Sequence, residues 1–168
     1  KPRVIPETEP NARLTGGVFL SDEASKSWRR VSKEQRLDSR GWYFNGVSVD
    51  PVNPDRAYII NTTTYVTTDG GKSFAPIKGA PGGDDYHQMW ISPNNNKNMI
   101  ISNDGGAAIS FNTGKTWSTQ NNQPTGQFYR VHADNRFPSY VYGVQQDTTS
   151  VMIASRSLSG YGIGKRDW

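Results

Sequence analysis

Thr67-Thr68-Asp69-Gly70-Gly71-Lys72-Ser73-Phe74 follows the pattern S/T-x-D-x-G-x-S/T-aromatic, and the same spacing returns elsewhere in the chain. A second copy is Ser110-Phe111-Asn112-Thr113-Gly114-Lys115-Thr116-Trp117, with Asn for Asp. A worn third copy is Ser21-Asp22-Glu23-Ala24-Ser25-Lys26-Ser27-Trp28. The closing aromatics stand at 28, 74 and 117, so the intervals are 46 and 43. Each copy reads as a hairpin turn. An Asx side chain folds back on nearby backbone amides, Gly takes a positive φ, and the aromatic opens the returning strand into the core. Asp69, Gly71, Phe74, Asn112, Gly114, Trp117, Ser21 and Trp28 are on this reading structural residues, not catalytic ones.

Other landmarks keep step with the turns. Val47-Ser48-Val49-Asp50-Pro51 is followed by Met89-Trp90-Ile91-Ser92-Pro93 and Val131-His132-Ala133-Asp134-Asn135, which sets Asp50, Ser92 and Asp134 at steps of 42. The next strand repeats as Ala57-Tyr58-Ile59-Ile60-Asn61, Asn98-Met99-Ile100-Ile101-Ser102 and Tyr140-Val141-Tyr142-Gly143-Val144. A period of this size in short strands points to an all-β partial propeller of three to four four-stranded antiparallel blades, with the repeated turn joining third and fourth strands. The expected strands are 17–21 and 27–31; 47–49, 56–60, 64–67 and 73–77; 87–91, 98–102, 107–110 and 116–119; 128–133, 140–144 and 151–155. Residues 1–12 are an extended, Pro-rich lead-in, and 13–168 the propeller segment, with blade parts at about 13–45, 46–80, 86–122 and 127–168. A closed ring needs at least ~4 blades and more often 6–8. The expected partners are therefore the rest of a larger propeller, a second copy, or other protein subunits.

The repeated turn resembles the Asp-box, or BNR repeat, of sialidases, xyloglucanases and sortilin-type receptors. Gly16-Gly17-Val18-Phe19-Leu20-Ser21, Asn103-Asp104-Gly105-Gly106-Ala107-Ala108-Ile109-Ser110 and Gly126-Gln127-Phe128-Tyr129-Arg130-Val131 are similar to segments of large secreted bacterial sortilin-like or "glycosyl hydrolase, BNR repeat" proteins. The resemblance covers roughly residues 13–168. It implies the propeller and an extracytoplasmic bacterial setting, and it implies no one function, since Asp-boxes occur in enzymes and binding proteins alike.

Composition narrows the chemistry. Seventeen Gly and ten Pro suit short strands and tight turns. The absence of Cys removes disulfides, thiolate nucleophiles and Cys-ligated metal from this chain. No apolar run approaches the ~20 residues of a membrane-spanning helix. The net charge of +4 is mild, and the basic stretch 26–40 mixes Arg29, Arg30, Lys33 and Arg36 with Glu34 and Asp38, so it reads as a solvated linker and not a nucleic-acid stripe. No calcium loop, phosphate loop or G-x-S-x-G elbow is present, and neither a metal nor a cofactor is expected.

Candidate site residues follow from strand direction. The turns between first and second and between third and fourth strands share one face. The opposite face collects Asp84, Asp85, Tyr86, His87, Asp104, Gln145 and Asp147, with Asp104 and Asp147 in matching loops. Carboxylates across such a funnel can serve glycoside hydrolysis, so Asp104, Asp147, Asp84 and Asp85 are the catalytic candidates. An Asp before Gly-Gly is equally a turn former, and an Asp at a loop mouth caps amides. His87, Tyr86, Trp42, Tyr43 and Gln145 are ligand-binding candidates, the rings as platforms for sugar. For Trp42-Tyr43-Phe44 the expected place is the core, because the wedges between blades take large rings. The leading expectation is a non-catalytic segment for binding or assembly, carbohydrate among its ligands. The alternative is part of a glycoside hydrolase resembling xyloglucanases or sialidases.

Overall fold

A computed structural model describes residues 16–78, 85–120, 126–164, 166 and 167. Among them are twelve short strands and one 3-10 turn: β1 (Val18–Leu20), β2 (Arg29–Ser32), η1 (Gln35–Leu37), β3 (Gly46–Val49), β4 (Ala57–Ile60), β5 (Thr64–Thr67), β6 (Ala75–Lys78), β7 (Gln88–Ile91), β8 (Met99–Asn103), β9 (Gly106–Ser110), β10 (Phe128–Ala133), β11 (Tyr140–Gln145) and β12 (Ser150–Ala154). They form four sheets in strict chain order, β1-β2, β3-β4-β5-β6, β7-β8-β9 and β10-β11-β12. The pairings are antiparallel, with registers such as Val47↔Ile59, Met89↔Ile101 and Val131↔Gly143. Meanders of this kind are the blades of a partial β-propeller. The expected strand at 116–119 does not form. Ile109 accepts a hydrogen bond from the Ser118 amide at 2.8 Å but donates its own amide to Ser118 Oγ at 3.0 Å, so a hydroxyl has displaced the backbone carbonyl from the ladder.

The chain divides into two compact units, one of residues 1–103 with 107–118, the other of 104–106 with 119–168. In the first, β4 explains the core. Successive side chains of a strand point to opposite faces, yet Tyr58, Ile59 and Ile60 are all buried. On one face Tyr58 and Ile60 pack with Met89, Ile91, Met99, Ile101 and Ala108, joined by Tyr86. On the other, Ile59 packs with Leu37 of η1 and with Phe74, flanked by Val18 and Tyr65. A strand covered on both sides reads as a continuous apolar run rather than an alternating one, and Tyr58-Ile59-Ile60 is such a run. Each buried Ile, Leu, Met or Phe among them contributes roughly 1.5–3 kcal/mol of apolar burial.

A polar clasp reinforces this stack. The Asp50 side chain is fully buried and accepts hydrogen bonds from the amides of Val52 (2.8 Å) and Asn53 (3.1 Å), from Arg56 Nη1 (3.3 Å), and from Asn96 Nδ2 through both oxygens (3.1 and 3.0 Å). Asn96 lies in the β7–β8 turn, so the clasp ties one sheet to the next. Burial by itself raises the Asp50 pKa, but the Val52 amide, the Asn96 amide group, the Asn53 amide and the Arg56 charge outweigh it, and the net shift is downward.

In the second unit β10 is exposed at all six positions. Gly143 at the centre of β11 is buried beneath the Phe128 ring, which leaves no room for a side chain, since a Cβ there would stand 2.7 Å from it. Asp134 repeats part of the Asp50 arrangement within its own hairpin, accepting from the Tyr140 amide at 2.8 Å, from the Tyr142 hydroxyl at 2.9 Å and from Arg136. The Tyr140 amide leads the causes that hold its carboxyl well below the usual range.

Candidate functional site

The three repeated turns share a backbone plan. The hydroxyls of Thr67, Ser110 and Ser21 each accept a hydrogen bond at 2.9 Å from the amide four residues on, that of Gly71, Gly114 and Ser25. Asp69 adds bonds from the Lys72 and Ser73 amides at 3.0 Å and from the Ser73 hydroxyl at 2.6 Å, whereas Asn112 Oδ1 accepts from the Thr116 amide at 2.9 Å and its Nδ2 donates to the Thr116 hydroxyl at 2.7 Å. The Ser73 hydroxyl and amide are the leading causes that lower the Asp69 pKa to about 2. The chain turns through positive φ at Gly70 and Gly71, at Thr113 and Gly114, and at Ala24 and Ser25. The worn copy thus keeps the fold of the turn while holding two non-glycine residues in left-handed backbone. Phe74 is 6% exposed and Trp117 packs against the core, whereas Trp28 is half-exposed.

The carboxylates and rings of the other face separate into distinct environments. Asp84 lies outside the described residues. Asp85 has φ +50 and forms an ion pair with Arg40, its side chain largely covered. Asp104 is exposed in the two-residue turn between β8 and β9. Asp147 is the exposed apex of the β11–β12 turn at φ +53, with Gln146 Nε2 at 3.3 Å from its carboxylate. Gln145 closes the same turn, its Nε2 donating to the Thr149 hydroxyl at 3.2 Å. Tyr86 is a core residue at 2% exposure and offers no surface platform. His87 is exposed, its ring 4.6 Å from that of Phe44. Among the described residues no three His, Asp or Glu side chains gather to hold a metal ion.

Trp42 and Tyr43 depart furthest from expectation. Instead of filling an inter-blade wedge they stand 84% and 66% exposed. Leu37 of η1 is buried against Ile59 and Phe74 and occupies the apolar space on that side of the sheet. The loop that displays the rings is well tied. The Tyr43 and Phe44 amides both donate to the Arg40 carbonyl at 2.8 Å, Gly41 donates to the Asp38 carbonyl, and Asn45 Nδ2 bonds Leu37 O and Asp38 Oδ1 at 3.2 Å. The rings form a chain: Trp42 to Tyr43 5.7 Å, Tyr43 to Phe44 5.3 Å, then Phe44 to His87, with the Arg40 guanidinium 5.9 Å over Phe44. Beside Trp42 opens a cleft of about 580 Å³ lined by Lys33, Gln35, Arg36, Asp38 and Ser39. Arg36 is positioned by Glu34, by the Phe74 carbonyl at 2.8 Å and by the Tyr65 ring. Sequence reading missed Arg36, Arg40 and Phe44 as members of this surface. The signal was present in the basic stretch preceding three consecutive aromatics.

No family model matches the chain, and no curated protein matches it. Among solved structures it is similar to the crystal structure of an ancestral GH74 enzyme, with a TM-score of 0.50 and 18% identity over 79% of this chain and 20% of that one. It is also similar to YCF48 from Cyanidioschyzon merolae, with a TM-score of 0.37 and 13% identity over 65% of this chain and 39% of that one. Both are β-propellers. The chain spans a fifth of the length of the first and about two fifths of the second, and at this identity the first likeness speaks to the fold alone.

Proposed function

We propose that the chain is a propeller segment that binds a partner molecule and does not transform one, that its repeated turns are Asp-boxes of the BNR kind, and that it works outside the cytoplasm of a bacterium. The observation that carries the binding reading is the Trp42–Tyr43 pair, exposed on a tied loop beside a cleft of ligand size. Rings already ordered before contact lose little freedom on binding, and aromatic and Arg side chains are the usual anchors of recognition surfaces. The Asp-box reading is supported by the hydroxyl and Asx bonds that recur in the turns at 67–74 and 110–117. Carbohydrate is the first ligand class to try, since sugar rings stack on exposed indole and phenol faces.

The test is a titration of soluble β-glucan oligosaccharides and sialosides followed by tryptophan fluorescence, beside a hydrolysis assay on the same panel. Saturable binding that falls at least tenfold in Trp42→Ala, without turnover, supports the proposal. Hydrolysis that drops by the ~100-fold expected on losing an acid–base group in Asp104→Asn or Asp147→Asn would replace it with the glycoside hydrolase reading.

A further inference from the structure

The loop that carries Trp42 and Tyr43 is held by a contact from outside itself. Within the loop the Arg40 carbonyl accepts both the Tyr43 and the Phe44 amides at 2.8 Å. The Arg40 side chain then lies with its guanidinium 5.9 Å from the centre of the Phe44 ring and pairs through Nη1 with Asp85, 45 residues away on the approach to β7. The segment carrying Asp85 is itself anchored. The Tyr86 amide donates to the Asn61 carbonyl at 2.8 Å, and the His87 amide to the Ser102 carbonyl at 3.0 Å.

Phe44 transmits this tie to the exposed rings. It is met by the His87 ring at 4.6 Å, by the Arg40 guanidinium, and by the Tyr43 ring at 5.3 Å and 76°. Edge-to-face contact is a favoured aromatic geometry, so a fixed Phe44 restricts how the Tyr43 ring can turn, and the Trp42 ring lies 5.7 Å beyond at 32°. Stability alone does not account for the pair. The Arg40 and Asp85 side chains are 42% and 17% exposed, and an ion pair that water reaches adds little to folding. Asp85 also sits at φ +50, and left-handed non-glycine residues persist where surrounding contacts over-determine them, most often at functional sites.

We infer that Arg40 and Asp85 are the positioning residues of the ring site, presetting Phe44 and Tyr43 so that the Trp42–Tyr43 platform meets its ligand already ordered. The inference rests on the binding reading above. It gives Asp85 a role that is neither catalytic nor in contact with ligand. Order present before contact raises affinity, because less binding energy is then spent on immobilising side chains.

Two measurements on the full chain test the inference, the first without ligand. In the free protein, Asp85→Asn and Arg40→Lys are expected to speed amide hydrogen exchange at Tyr43 and Phe44 roughly tenfold. Asp22→Asn, which breaks the exposed Arg29–Asp22 pair, leaves that exchange unchanged. Lys keeps the charge of Arg but not its planar fork, so a loss in Arg40→Lys separates positioning from simple attraction. Asn and Gly both accept left-handed backbone, so Asp85→Asn and Asp85→Gly melt like wild type. In the second measurement, titration with cellotetraose and with sialyllactose, Asp85→Asn, Asp85→Gly and Arg40→Lys weaken the saturable binding shown by wild type by about fivefold or more, and Asp85→Glu recovers most of the loss. Unchanged exchange in Asp85→Asn and Asp85→Gly, or faster exchange with undiminished affinity, would overturn the inference while leaving the binding reading in place. Failure of both sugars to bind wild type would instead overturn the binding reading, and the role of the pair in recognition with it.

Discussion

In sheet β3–β6 the second strand carries Tyr58, Ile59 and Ile60 at 3% exposure or less, whereas in sheet β10–β12 the second strand leaves Val141 at 36% and Val144 at 59%. The backbone does not account for the contrast. Both strands pair antiparallel with neighbours on each side, in registers that place Val47 opposite Ile59 and Val131 opposite Gly143. What differs is the company each keeps within its own unit. Sheet β3–β6 has β1–β2 and η1 against one face and β7–β9 against the other, while the described residues of the second unit form one sheet. A strand's existence is therefore set by local pattern and pairing, and its burial by what stacks on it.

The largest effect should come from cutting into the covered region. Ile101, at 0% exposure, belongs to the core cluster that draws on both sheets, so Ile101→Ala is expected to cost about 3–4 kcal/mol in urea unfolding. Val144→Ala on the half-exposed strand should stay within about 0.5 kcal/mol. Equal costs would erase the distinction between the sheets.

Next in size is the clasp. Asp50→Ala strands the Arg56 charge, two amides and the Asn96 amide group, for a loss of about 3 kcal/mol. Asp134→Ala, whose partners all lie in one hairpin, is expected to shift the midpoint less. The Asp50 carboxyl titrates lower in the folded chain than its ordinary value near 3.9. Its contribution is thus complete above about pH 4 and declines as acid carries the pH below that value. An acid titration of wild type against Asp50→Asn should show the wild-type advantage shrinking in that range.

Backbone strain gives a third contrast. Gly71 has φ +88 and a Cβ there would lie 2.7 Å from Val31, so Gly71→Ala combines conformational strain with a clash and is expected to cost about 2–3 kcal/mol. Gly162 has φ +81 but open space around it, so Gly162→Ala costs only the conformational part, about 1 kcal/mol. The smallest effect is a gain. Ser25 sits at φ +70 where the other copies of the turn have Gly, and Ser25→Gly should raise stability by about 0.5–1 kcal/mol in the same urea assay.

The same contrast explains what could be read in advance. The turns were legible because their chemistry is local: a hydroxyl and a carboxylate reach amides two to four residues away, and the pattern at 67–74 states those partners outright. The strand plan was legible because Asp50, Ser92 and Asp134 hold one step. The placement of Trp42 was not, because a run of aromatics says nothing about whether a wedge is already full, and Leu37 fills it from a single 3-10 turn. Tyr86 shows the converse: beside Asp84, Asp85 and His87 it looked like a surface ring, yet its amide donates to the Asn61 carbonyl at 2.8 Å and its ring lies in the core. The Asp50–Asn96 bond spans 46 residues, and Asn94-Asn95-Asn96 alone reads as a turn. Contacts of that range follow from stacking, which the sequence pattern encodes only through the fold.

Native-state amide hydrogen exchange tests the contrast most directly. The account predicts that the Ile59, Ile60 and Ile101 amides exchange only through the largest opening event of the first unit, and that the amides of β10 and β12 exchange at least ~100-fold faster, as expected for strands open to local unfolding. Equal protection of β4 and β10 would contradict it, because two sheets with such different cover would then be equally hard to open.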